Sequence, residues 1–197
     1  VMTFFEFLLP SLSVGIISLI SYRSYSEAYP IRLTRALLYA FFTGVVYVIM
    51  GNAGIFIADL MRFRNSELPD LYNHLNTVVY LGFMVFVVLK WLLGITKKRM
   101  ENRVLYDLSS NHTLLVLPLA LGINVFLVGF GIGFLPDLRL DGLFLRYSLP
   151  LFFVTFFMCY WAVMLGRRKI AIREKRWVFI SSLLLLVLAI MKVVNLS

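Results

Sequence analysis

Six apolar stretches, each about as long as a bilayer is thick, constrain this chain more than any other feature. A hydrocarbon core of ~30 Å at ~1.5 Å rise per residue requires ~20 apolar residues per helical crossing. The stretches run Phe4–Tyr22, Leu33–Met61, Leu75–Ile95, Thr113–Leu135, Tyr147–Leu165 and Val178–Val194. Lipid offers backbone N–H and C=O groups no partner, so each stretch is expected to be an α-helix. A membrane barrel would show alternating runs of ~10 residues. The second stretch exceeds one crossing and is expected to tilt or project.

Composition agrees. The 197 residues are 61% hydrophobic and 15% charged, against ~45–50% and ~25% in soluble domains. That excludes a cytosolic enzyme, a nucleic-acid-binding module and a disordered tail. The single cysteine, Cys159, excludes an internal disulfide and a Cys-based zinc site. The first stretch has no basic leading segment and no small-residue cleavage site after it, so it reads as a permanent helix.

Loop charges orient the chain. Arg23, Arg32 and Arg35, then Lys97, Lys98, Arg99 and Arg103, then Arg167, Arg168, Lys169, Arg173, Lys175 and Arg176 give thirteen cations on one side. Arg62, Arg64, Arg139, Arg146 and Lys192 give five on the other. The richer side is cytoplasmic by the positive-inside rule, which places both termini outside a cell (inner) membrane. Lys90 lies about one and a half turns from the cytoplasmic end of the third stretch, where its stem can snorkel to the interface. Tyr22, Tyr29, Tyr72, Trp91, Tyr147 and Trp177 fit an interfacial aromatic belt. The abundance of phenylalanine suggests broad faces against lipid or protein.

The expected architecture is all-α and polytopic: one membrane domain over 1–197, with a first repeat over about 1–95, a linker over 96–112 and a second repeat over about 113–197. Three crossings per half make the repeats inverted. A faint echo supports them, because Leu12-Ser13-Val14-Gly15-Ile16 aligns with Leu121-Gly122-Ile123-Asn124-Val125. The run Val128-Gly129-Phe130-Gly131-Ile132-Gly133-Phe134-Leu135 is more specific, and Asn73-His74, Lys90 and Val163-Met164-Leu165-Gly166-Arg167 accompany it. On these runs the chain resembles the MntP-type manganese efflux pumps, relatives of the lysine-exporter superfamily. The resemblance implies six spans in two three-helix repeats and export of a divalent cation.

The departures concern the chemistry of that export. Where the family carries two intramembrane aspartates, this chain has Gly15 and Asn124, and Val45–Met50 replaces an acid and a proline in the second span. A hard divalent cation needs oxygen ligands, best anionic, to replace its water. Asparagine offers one neutral carbonyl and no exchangeable proton. Glu6 and Asp59 lie in outer turns; Asp59 is placed to pair with Arg62 at i+3, and Glu6 to anchor outward. The metal ligands are therefore unknown. The expected path is neutral, along Ser13, Gly15, Asn52 and Asn124, although Ser13, Ser18, Thr43, Tyr47, Asn52, Asn124 and Thr155 can equally well hydrogen-bond between helices. Gly122, Gly129 and Gly133 give the fourth span a small face, expected to let it cross the first near the repeat axis. Pro10 and Pro118 are placed to loosen the first turns of those two helices.

Arg167, Arg168, Lys169, Arg173, Lys175 and Arg176 form a basic cytoplasmic surface for anionic headgroups or an acidic partner. His74 and His112 fall at opposite faces, and no nucleophile triad, phosphate loop or mid-depth haem histidine is evident. The chain reads as no enzyme, with no cofactor and no nucleic acid. Its partners are the bilayer and either a membrane protein or further copies of itself. Three functions follow: divalent-cation export; a degenerate scaffold serving a larger membrane complex; or export of a neutral or zwitterionic solute, which suits an asparagine-lined path.

Overall fold

The computed structural model describes residues 4–29, 31–62, 69–96, 107–135, 138, 144–170 and 173–194. These residues are all-helical, with six long helices: α1 Phe4–Ala28, α2 Leu33–Met61, α3 Pro69–Thr96, α4 Asn111–Gly133, α5 Leu149–Arg167 and α6 Glu174–Val194. A π-helical turn, Phe144–Ser148, leads into α5. The first five helices meet the length and apolarity of a membrane span. The 21-residue α6 carries Glu174, Lys175 and Arg176 in its first turn and Lys192 in its last, with an apolar stretch between. Lys97, Lys98, Arg99, Arg103, Arg64, Arg139 and the Glu6 side chain, all weighed above, lie outside what is described.

Helix directions follow from contacts along their lengths. On α1 and α5, Phe7 meets Tyr147, Gly15 meets Val154 and Met158, and Gly166 meets the backbone at Arg23, so the two run parallel. On α2 and α4, Arg35 meets Asn111, Gly122 meets Val46 and Met50, and Gly133 meets Ala58, which is again parallel. Gly44 against Phe152 and Gly51 against Tyr147 make α2 and α5 antiparallel. The α1–α6 and α3–α4 pairs are antiparallel too, joined by Ser24–Glu174 and Ser13–Ser181, and by Phe83–Phe134 and Lys90–Asn124. Each helix of the first half thus runs opposite to its counterpart in the second.

The packing is interleaved. Among the described residues, the backbones of α1, α2 and α3 do not approach one another closely, although side-chain hydroxyl pairs join α1 to α2, and neither α4 nor α6 packs on α5; the remaining close helix pairs join the two halves. Two bodies result, α1–α5–α6 and α2–α3–α4. They meet along α2–α5, α3–α6 and a short stretch of α1–α4. The glycine face of α4 turns to α2, which corrects its expected partner; α4 meets α1 only over a short stretch. A Cβ on Gly54 would collide with the Phe126 carbonyl oxygen and the Phe130 nitrogen, and one on Gly129 with the Gly51 carbonyl. Helices in lipid gain little from hydrophobic burial, so backbone approach at small residues supplies the van der Waals contact that joins them.

Several expected details shift. α1 runs six residues beyond Tyr22, because its last turns are held by α5 and the α5–α6 connection. Pro10 and Pro118 lie inside continuous helix. Tyr22, Tyr147 and Trp91 are buried, not interfacial, because α1, α3 and α5 turn those faces inward. Phe41, Phe56, Phe86, Phe153, Phe157, Trp161 and Phe179 are exposed, together with Tyr29 and Trp177 of the expected belt. α5 ends in a Schellman motif, in which the Ile170 and Lys169 N–H groups donate to the Leu165 and Gly166 carbonyls, with Lys169 left-handed at φ 50°.

The close approach predicts a sharp contrast among glycines. Gly54→Val and Gly129→Val force backbones apart and are expected to cost ~3 kcal/mol or more. Gly82→Ala, with nothing within 4 Å of the added carbon, gains up to ~1 kcal/mol of helix propensity. Thermal melting of the purified protein in detergent, followed by size-exclusion fluorescence, checks the order.

Candidate functional site

Tyrosines span a gap between α1 and α2, whose backbones stay apart. The Ser18 and Tyr47 hydroxyls lie 2.5 Å apart, and those of Tyr22 and Thr43 2.6 Å apart. Ser18 and Tyr22 sit one turn apart on α1, and Thr43 and Tyr47 one turn apart on α2, so antiparallel helices match the pairs in register. Each smaller hydroxyl also donates back to its own helix, Ser18 to the Val14 carbonyl and Thr43 to the Tyr39 carbonyl. The back-bonds share each hydroxyl's capacity and hold the groups facing one another. All four side chains are buried.

Towards the other end of the same seam, Asn52 of α2 donates to the Ser148 hydroxyl at 2.8 Å and to the Val48 carbonyl. Among the described residues, the buried Tyr147 hydroxyl and Thr155 Oγ1, both borne by α5 or its leading turn, have no hydrogen-bond partner. Orphaned polar atoms in a buried seam cost stability and mark places that a bound group could satisfy.

The other expected path residues lie inside the bodies. Ser13 donates to the Leu9 carbonyl, and its own carbonyl accepts from Ser181 of α6. Gly15 is covered by Val154 and Met158. Asn124 accepts from Lys90 Nζ at 2.9 Å. Lys90, exposed on α3, therefore bonds sideways to α4, whereas the sequence alone suggests that it snorkels to the interface. The structure brings Ser18, Thr43 and Tyr47 together and keeps Gly15, Asn52 and Asn124 against different helices. Sequence reasoning missed Tyr22. The i, i+4 polar pairs on two antiparallel helices were the signal that could have found it.

Charged groups staple each body internally. The buried Arg23 guanidinium donates to the Ile170 carbonyl at 3.1 Å, meets Glu27 at 2.9 Å and approaches Glu174 at 3.8 Å. Ser26 donates to the Val163 carbonyl beside it. In the other body Arg35 donates to the Leu108 carbonyl and to Asn111, and Tyr39 donates to Leu108 as well. At the far end Arg62 pairs with Asp59 at 3.4 Å, as expected, and donates to the Leu135 carbonyl. Outside the spans, the hydroxyl and then the N–H of Ser109 hold the Asp107 carboxyl below the usual carboxylate range. Folding gains from that turn at neutral pH and loses the gain as pH falls through the lowered value.

Among the described residues no group of three or more His, Cys, Asp or Glu side chains could hold a metal ion. His74 and His112 start antiparallel helices and lie at opposite ends. Arg167, Arg168, Lys169, Arg173, Lys175 and Arg176 are all exposed around the α5–α6 connection.

Arg23→Met removes the staple that joins α1 to the Ile170 carbonyl and Glu174. We expect a loss of about 2–3 kcal/mol and faster trypsin cleavage near the α5–α6 connection. Arg168→Ala is expected to stay within ~0.5 kcal/mol of the parent. Detergent melts and timed proteolysis read both.

No curated relative and no solved structure matches the chain. A family model described as "Putative manganese efflux pump" matches residues 30–193, from just before α2 into the last turn of α6; α1, with Ser13 and Gly15, precedes the matched segment. Long apolar helices in two opposed, interlocked sets and a match across most of the sequence place this chain in the MntP family of membrane proteins.

Proposed function

We propose that the chain exports a divalent cation, manganese, across the cell membrane by rocking α1–α5–α6 against α2–α3–α4. The observation that carries this reading is the distribution of polar contacts: the arginine staples are internal to each body, whereas neutral hydroxyl and amide pairs cross the seam. Such pairs contribute only ~0.5–2 kcal/mol each, so none of those charged contacts has to break when the seam opens. Family membership supports the cargo. Of the residues expected on the path, Asn52 lies at the seam, and Ser18, Thr43, Tyr47, Ser148 and Thr155 join it there as oxygen donors. Ser13, Gly15 and Asn124 shape the bodies. The domain comprises the whole of 1–197, with repeats over about 1–95 and 113–197, and the basic end faces the cytoplasm with both termini outside.

A second reading has a specific observation in its favour. The two positions that the resemblance sets opposite family aspartates, Gly15 ahead of the matched segment and Asn124 within it, are a glycine covered by Val154 and Met158 and an asparagine bound to an ammonium. A fixed cation repels Mn²⁺ strongly where the dielectric is low. On this reading the chain is a non-transporting member that serves as scaffold in a larger membrane complex.

Proteoliposomes distinguish the two. In a Cys159→Ser background, a thiol-reactive bridge between Asn52→Cys and Ser148→Cys crosses the seam, and one between Ser13→Cys and Ser181→Cys stays within a body. Export predicts manganese flux that the first bridge stops reversibly and the second leaves running. Absence of manganese flux in the unmodified protein, with native mass spectrometry showing a stoichiometric partner, supports the scaffold.

A further inference from the structure

We propose that the outward face of α3 along Gly82, Phe86, Lys90 and Gly94 docks a transmembrane helix of another protein, one carrying an ionised carboxylate at the depth of Lys90. These four residues recur every fourth position, so they form one stripe, and all four are exposed. A Cβ on Gly82 or Gly94 would meet nothing within 4 Å, so the helix surface lies open on both sides of the lysine.

Depth makes the lysine informative. Lys90 lies six residues before the end of α3, ~9 Å along the axis, and its acceptor Asn124 stands near the middle of the 23-residue α4. The ammonium has three donors. Among the described residues, only Asn124 accepts from it, and a neutral amide cannot balance its charge. An ammonium at this depth is costly unless it is paired. Around it the exposed side chains are apolar: Val85, Leu89 and Leu93 on α3 and Ile123 on α4. Such a surface excludes water once a helix covers it.

The chemistry selects the occupant. A second copy would need a mid-span carboxylate on its own lipid face, and the described residues provide none: Asp59 is engaged by Arg62 at a helix end, Glu27 and Glu174 surround Arg23, and Asp70 begins α3. A partner helix with an aspartate or glutamate supplies the missing charge, uses the free donors and fits the relief left by the glycines.

The test uses the full chain, donor-labelled in phosphatidylcholine vesicles at pH 8. Acceptor-labelled synthetic helices of leucine and alanine carry aspartate, asparagine, leucine or lysine at their centre. Energy transfer is expected to show the aspartate helix associating about tenfold more tightly than the leucine helix. Lys90→Arg keeps that preference, Lys90→Leu abolishes it, and Lys90→Glu transfers it to the lysine-centred helix. Gly94→Leu weakens association without lowering the melting temperature of the protein alone. Equal association of the aspartate and leucine helices overturns the proposal, as does a preference that survives Lys90→Leu. Loss of association when phosphatidylglycerol is added assigns the ammonium to lipid phosphate, and energy transfer between donor- and acceptor-labelled copies of the protein that Lys90→Leu abolishes assigns the face to self-association; either result also overturns it.

Discussion

Backbone-to-backbone contact between parallel helices from opposite halves is the constraint on which this structure depends. Lipid does not push apolar helices together, so cohesion has to come from close fit. Gly51, Gly54, Gly129 and Gly133 provide it between α2 and α4, and Gly166 between α1 and α5, where Gly15 meets the Val154 and Met158 side chains. With those two pairs fixed, α6 lies against α1, and α3 is held between α4 and α6. The division into bodies that cut across the sequence halves follows from which helices have glycines facing each other.

Polar groups then sort by charge. Guanidinium groups lie at helix ends, where backbone carbonyls left free by terminated helices accept from them: Ile170 after α5, Leu135 after α4, Leu108 before α4. Hydroxyls and amides occupy the depth between. The order follows from desolvation, because a charge at a helix end keeps partial access to water, whereas a hydroxyl at mid-depth needs only one or two partners. Lys90 departs from the order, and its departure carries the docking inference.

The sequence made the helices legible because their length and apolarity are set by the bilayer, and the Asp59–Arg62 pair was legible because i, i+3 neighbours meet on any helix. The family was legible from the glycine-rich run of α4 and its companions. Partnership between helices was not. Helices apolar on nearly every side give no periodic cue to which face turns inward, so Tyr22, Tyr147 and Trp91 read as belt residues and the α4 glycines as an α1 contact. Lys90 read as snorkelling because a single helix cannot reveal that a second one offers an amide at the right height. Arg23 counted only towards loop charge, since its carbonyl and carboxylate partners stand about 150 residues away in sequence.

Interleaving also bears on how the protein is made. A ribosome delivers α1, α2 and α3 to the membrane before the helices their backbones pack closely against have been synthesised. The early chain therefore has the hydroxyl pairs between α1 and α2 to draw on, while its glycine faces stay turned to lipid until α4 and then α5 slide in beside them. Nothing in the first hundred residues can be proofread as a finished unit. The helices of the second half complete the tertiary structure of the first, so close packing of the first half waits on synthesis of the second.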